Sequence, residues 1–212
     1  MHGSLSGCLS KVAAAVFFAA IAFADPAGAQ PAGQSKGEIK VGNVAAYSGP
    51  ASAYAEIAKT EAAYIDMLND KGGINGRKIR FISYDDAFSP PKAVEQTRKL
   101  VESDNVLFVF GQTGSSSAAA VVKYLNANKV PQVMVASGAT RFYDPVNSPW
   151  TTGFAQSPYR IEAGAYARYI LEKIPNAKVA ILYQNDEFGK DFYAGFKDVL
   201  GDRFSKLVVG EA

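Results

Sequence analysis

The chain has 212 residues and a formal net charge of +2, with 48% hydrophobic and 20% charged residues, one cysteine and one histidine. That balance is globular and has no basic excess of the kind nucleic acids or anionic membrane surfaces attract. Cys8 and His2 both fall within the first thirty residues. Once that stretch is removed, no disulfide, thiolate nucleophile, zinc site of the usual ligands, or Ser-His-Asp or Cys-His machinery can be built, whereas carboxylate-only catalysis stays open.

The N-terminal stretch has the order of a secretory signal peptide. Lys11 precedes an apolar run over 12–24, and Ala27-Gly28-Ala29 gives a small-x-small ending before Gln30. The run is too short to span a bilayer comfortably, so residues 1–29 are expected to be a leader cleaved after Ala29. Leu5-Ser6-Gly7-Cys8 spells a lipobox but stands before the apolar run instead of after it, which argues against lipidation of Cys8. Residues 30–37 read as a polar linker.

From residue 39 onward, β-rich runs alternate with helical-period stretches. A strand over 39–46 leads to a helix with Tyr54, Ile57, Ala58, Ala62, Ile65 and Leu68 on one face, which Gly72-Gly73-Ile74-Asn75-Gly76 stops. A strand over 78–84 follows, then a helix opened by Pro90 and Pro91, with Ser89 as its cap and Val94, Thr97, Leu100 and Val101 on its face. A strand over 106–110 leads to a helix bearing Val121, Val122 and Leu125, and then to a strand over 132–136. The stretch 137–154 breaks the rotation, with Pro145, Pro149 and Trp150 before an extended piece over 151–155, and reads as a functional loop leading to a crossover. A helix with Tyr159, Ala163, Tyr166, Ile170 and Ile174 on one face, a strand over 179–183, a helix with Phe188, Phe192 and Val199, and a strand over 206–209 complete the series. Strict rotation of strand and helix predicts parallel sheets with helices on both faces.

In open parallel sheets, ligands bind outside the C-terminal ends of the strands. The residues following the first four strands are Tyr47-Ser48-Gly49-Pro50, Asp85-Asp86, Gly111-Gln112-Thr113-Gly114-Ser115-Ser116-Ser117 and Ser137-Gly138-Ala139-Thr140. The third loop has no cation and opens a helix, so its amides and hydroxyls either hold an anion or merely cap that helix. It lacks Gly-Lys-Ser/Thr, and the region lacks G-x-G-x-x-G, which argues against nucleotide binding. Asp85 and Asp86 form a carboxylate pair, but neighbours on an extended segment point to opposite sides, which favours a turn or capping role over acid/base work. Tyr54 has a core reading and a pocket reading, Phe188 falls on the opposite wall of a cleft, and Trp150 reads as a loop anchor.

Taken in order, Ile39-Lys40-Val41-Gly42, Tyr47-Ser48-Gly49-Pro50, Asn69-Asp70-Lys71-Gly72-Gly73-Ile74-Asn75-Gly76-Arg77, Tyr84-Asp85-Asp86, Gly111 with Ser115-Ser116-Ser117, and Tyr169-Ile170-Leu171-Glu172 resemble the leucine/isoleucine/valine-binding proteins of bacterial ABC importers. The resemblance implies a type I periplasmic binding fold of α/β class, with two doubly wound parallel-sheet lobes closing on a small solute. It implies a first lobe over 38–153, the start of a truncated second lobe over 154–212, and no catalysis or cofactor. It points to Ser115 and to Ser137, Gly138, Ala139 and Thr140 for the ligand's carboxylate, with Thr113 and Gly114 as further ligand-binding residues, Tyr54 and Phe188 as aromatic walls and no metal. Phe188 stands where the family often has a tyrosine, and the loop after the fourth strand departs from the family's common spelling. The implied acidic residue for an α-ammonium group falls beyond Ala212, so the expected ligand is a small carboxylate, either a branched-chain amino acid or an aromatic acid. A periplasmic monomer delivering it to an ABC permease in the inner membrane is the leading expectation. A sensory domain on the same fold, a carboxylate-dependent hydrolase and a non-functional fragment are the alternatives.

Overall fold

The computed structural model describes residues 34, 35, 37–154 and 157–212. The expected leader, with His2, Cys8 and the lipobox-like tetrapeptide, lies outside the described residues. The larger sheet is built from β1 (Gln34–Ser35), β2 (Glu38–Ala45), β3 (Lys78–Asp85), β4 (Phe108–Phe110), β5 (Gln132–Val135) and β6 (Thr151–Gly153). β1 pairs antiparallel with the first residues of β2, and all the other pairings are parallel in the spatial order β3-β2-β4-β5-β6. The chain winds one way from β2 to β3 and the other way from β4 onward. A crevice therefore opens outside the C-terminal ends of β2 and β4.

Side-chain alternation along β2 places the helices on both faces. The Asn43 amide reaches Glu61 on α1 (Ala55–Asp70), whereas Val44 packs with Ala93 of α2 (Pro90–Arg98), Leu100, and Val121 and Leu125 of α3 (Ser115–Ala127). Adjacent strand residues point to opposite faces, so α1 covers one side and α2 and α3 the other. α2 runs on into a π-helical turn, Lys99–Ser103, that drives Leu100 into the core. Gln112 and Gln132 form a buried amide pair at 2.9 Å, and Gln132 also donates to the Ala118 carbonyl, tying α3 to β4 and β5.

Beyond the larger sheet come α4 (Tyr159–Lys173), β7 (Val179–Ile181), α5 (Glu187–Leu200), α6 (Phe204–Leu207) and β8 (Val208–Glu211), with β7 and β8 forming a two-stranded parallel sheet. α4 and α5 pack closely because Ala163, Gly164, Ala167 and Gly195 leave little between them. A Cβ added at Gly195 would collide with the Arg160 carbonyl and lie 2.9 Å from the Ala163 methyl.

Several expectations need adjustment. The 206–209 strand starts two residues later than the pattern predicts, because Phe204–Leu207 closes a helical turn first. Tyr166 and Ile174, expected on a buried face of α4, are exposed, since that helix buries its small residues against α5 instead. The extended piece expected over 151–155 is present as strand β6, paired with β5. Ser89 occupies the cap position of α2 without making a side-chain capping bond.

Candidate functional site

A cleft of about 550 Å³ opens outside β2 and β4. Pro50, Ala51, Tyr54, Ile57, Phe88, Thr113, Gly114, Ser115 and Ala136 line it from the larger sheet, and Tyr159, Gln184, Asp186 and Phe188 from the α4–α5 side. The sequence-derived residues Tyr54, Thr113, Gly114, Ser115 and Phe188 are thus brought together. Tyr54, 59% exposed, ends a 3-10 turn (Ser52–Tyr54) ahead of α1, so the pocket reading fits it and the core reading does not.

The polar floor is the start of α3. Gly114 holds the N-cap position with φ +99 and makes no side-chain capping bond. Among the described residues, no acceptor meets the N–H groups of Ser115, Ser116 or Ser117. The serines therefore do not cap their own helix, and the helix start meets the cleft at Gly114 and Ser115. Ser115 Oγ pairs with Ser137 Oγ at 2.8 Å, and Ser137 Oγ also accepts the Ala139 N–H at 3.2 Å. Ser117 turns inward and is fully buried beside Asp86.

The loop after β5 behaves differently from the expectation. Ser137, Gly138 and Ala139 are buried, and Ala136 is the residue of this stretch that faces the cleft. The Gly138 carbonyl accepts the Tyr159 N–H at 2.9 Å, fixing the start of α4. Thr140 gives both its N–H and its hydroxyl to Asp191 Oδ2 on α5, at 2.6 and 2.7 Å, and lines a separate groove of about 400 Å³ with Arg160 and Asp198. Beside it, Arg141 pairs with Glu187 at 2.7 Å. Trp150 lies outside the cleft, with its backbone N–H donated to Asn126 Oδ1, which fits a loop anchor.

The Asp85-Asp86 pair builds a turn. Burial opposes ionisation of Asp85, but the Ser48 hydroxyl and the N–H groups of Ala87, Ser48 and Tyr47 outweigh it and hold the carboxyl below its ordinary pKa. Asp86 is fully buried, and burial raises its pKa against the pull of the Phe88 amide, which it accepts at 2.8 Å. Between them they fasten Ala87 and Phe88 at φ +51 and +58, a left-handed conformation costing about 1–3 kcal/mol per non-glycine residue. This turn delivers the Phe88 ring to the cleft. Sequence reasoning missed Phe88, although it stands just past the end of β3, where the strand-end rule applies.

On the facing side, Tyr159 and Phe188 meet edge to face at 4.9 Å, and Phe192 lies 5.3 Å from Tyr159 and 5.1 Å from Phe188. Asp186 caps α5 by accepting the N–H groups of Phe188 and Gly189 on Oδ1, and its Oδ2 accepts from Gln184. Beneath the crevice, Asn43 Nδ2 donates to Glu61 Oε2 at 3.1 Å and to the Phe110 carbonyl at 2.9 Å. Burial pushes the Glu61 carboxyl up to about 8.

A doubly wound parallel sheet with an uncapped helix start and a second α/β segment across the cleft defines a binding protein of the two-lobed α/β class. Residues 38–212 match the family model described as periplasmic binding protein, and the chain belongs to that family. Among curated relatives, the Leu/Ile/Val-binding protein of Escherichia coli (strain K12) is 31% identical over 169 residues, covering 77% of this chain and 44% of that protein. The chain thus spans about half the length of the curated relatives it matches. Among solved structures, a possible leucine/isoleucine/valine-binding protein from Rhodopirellula baltica SH 1 superposes with a TM-score of 0.70 at 21% identity, over 87% of this chain and 50% of that one. A solute-binding protein of an ABC transporter from R. palustris, solved in complex with benzoate, gives a TM-score of 0.65 at 26% identity, over 82% of this chain and 48% of that one.

Proposed function

We propose that the protein is the solute-binding component of an ABC importer and captures a small hydrophobic carboxylate, a branched-chain amino acid or an aromatic acid. The observation that carries this reading is the start of α3, where Gly114 and Ser115, whose N–H meets no acceptor among the described residues, line a cleft walled by aromatic rings. A carboxylate there gains about 0.3–2 kcal/mol from the helix dipole in addition to its hydrogen bonds, with no basic side chain required. Residues 38–153 and 154–212 are the two lobes of this reading, with Asp191–Thr140 and Arg141–Glu187 as contacts between them. Export through a leader over 1–29, action as a monomer in the periplasm and delivery to an inner-membrane permease complete it. The names of the Leu/Ile/Val-binding relatives and the benzoate complex support the two ligand classes.

Calorimetry on the full-length protein with leucine and with benzoate tests the reading. Binding of at least one is expected, with Ser115→Ala weakening it by about tenfold or more, since a hydrogen bond to a charged group contributes about 1.5–3 kcal/mol. Silence with both ligands at millimolar concentration, or unchanged affinity in the variant, would overturn it.

A further inference from the structure

The two walls of the cleft are unequal in a way that bears on ligand class. On the α4–α5 side, Tyr159, Phe188 and Phe192 already satisfy one another through ring contacts of 4.9–5.3 Å. On the opposite wall, Tyr54 and Phe88 both line the cleft, yet among the described residues neither has an aromatic partner. Phe88 is also held there at conformational cost. Its backbone and that of Ala87 are left-handed, a state bulky side chains rarely adopt, and Asp85 and Asp86 each spend a carboxylate oxygen on holding it. The ring lies directly over the helix start, so a Cβ added at Gly114 would stand 2.6 Å from Phe88 Cε2.

We propose that Phe88 is a specificity-determining residue whose ring, with that of Tyr54, selects a flat aromatic acid carrying its carboxylate directly on the ring. The inference rests on the carboxylate reading of the α3 start and deepens it. With the carboxylate at the α3 start, the carbon next to it falls beside Phe88, because that ring stands against Gly114 and lines the same cleft as Ser115. An aromatic ligand gains edge-to-face or offset contacts with both unpartnered rings. A saturated ring of the same width gains only burial.

Calorimetry on the full-length protein with benzoate, cyclohexanecarboxylate and leucine tests the proposal. The wild type is expected to bind benzoate at least about tenfold more tightly than cyclohexanecarboxylate, and Phe88→Leu to erase that ratio while keeping cyclohexanecarboxylate binding. Phe88→Tyr keeps the ring and should keep the ratio. Tyr54→Leu, at an exposed position that unfolding does not threaten, should reduce the ratio even if Phe88→Leu fails to fold. Cyclohexanecarboxylate or leucine binding as tightly as benzoate would overturn this assignment and leave the carboxylate reading standing. Equal weakening of both ring probes in the Phe88 and Tyr54 variants would reduce these residues to packing and overturn it too. No binding by any of the three would bring down the carboxylate reading itself, and the ligand class with it.

Discussion

A carboxyl group packed against a sheet is expensive to ionise, and Glu61 shows the consequence. Burial raises its pKa from 4.5 to about 8, while Asn43 supplies a neutral donor and no cation. The folded state therefore binds a proton that the unfolded chain releases. Its contribution is complete below about pH 4.5 and is lost as pH rises through about 8. Glu61→Gln keeps a neutral side chain of the same shape, so denaturation midpoints compared at about pH 5 and about pH 9 should fall less for the variant than for the wild type. Identical pH dependence in the two proteins would show that Glu61 is not the source. Nothing in the sequence announced this group, since a glutamate within a helix reads as solvated until Asn43 and Gly111 are seen to face it. The convergence of Tyr54, Thr113, Gly114, Ser115 and Phe188 on one cleft was legible because strand ends and helix starts locate them. Phe88 was not, because its position depends on two left-handed residues that no periodicity encodes. The burial of Ser137, Gly138 and Ala139 depends on where α4 docks, which is equally invisible along the chain.

At the level of elements, the approach of α4 to α5 depends on small residues. Gly195 faces the Arg160 carbonyl and Ala163, and Gly164 lies across from Val199, where an added Cβ would stand 3.1 Å from Cγ2. Gly195→Ala should therefore force the helices apart and cost about 1–3 kcal/mol, measured as a lowered thermal midpoint, whereas an unchanged midpoint would show the crossing to be loose. The Arg160–Asp198 ion pair across the same helices is half exposed and offers little compensation. Strand and helix identities were legible, apart from the helical turn Phe204–Leu207, because β-rich runs and 3.6-residue periods alternate along the chain. The faces of α4 were not, because the pattern of large apolar residues, Tyr166 and Ile174 among them, competed with a stripe of Ala and Gly that packs more tightly.

For the whole molecule, the order β3-β2-β4-β5-β6 puts a crevice where the chain reverses its winding, and the α3 start stands at its edge. Family membership follows from the match over 38–212, and the α/β class was legible from the rotation of elements alone. The contacts of Thr140 and Arg141 with α5 were not, since the bonded residues lie 51 and 46 positions apart and no local pattern joins them. Those contacts hold the aromatic wall of α5 opposite the uncapped helix, and the ligand's position between them decides the function. A crystal structure of the full-length protein with benzoate is the most direct measurement of it. Carboxylate oxygens are expected about 2.7–3.2 Å from the amides at the start of α3 and from Ser115 Oγ. A carboxylate paired with a lysine or arginine elsewhere, with those amides facing only water, would contradict it.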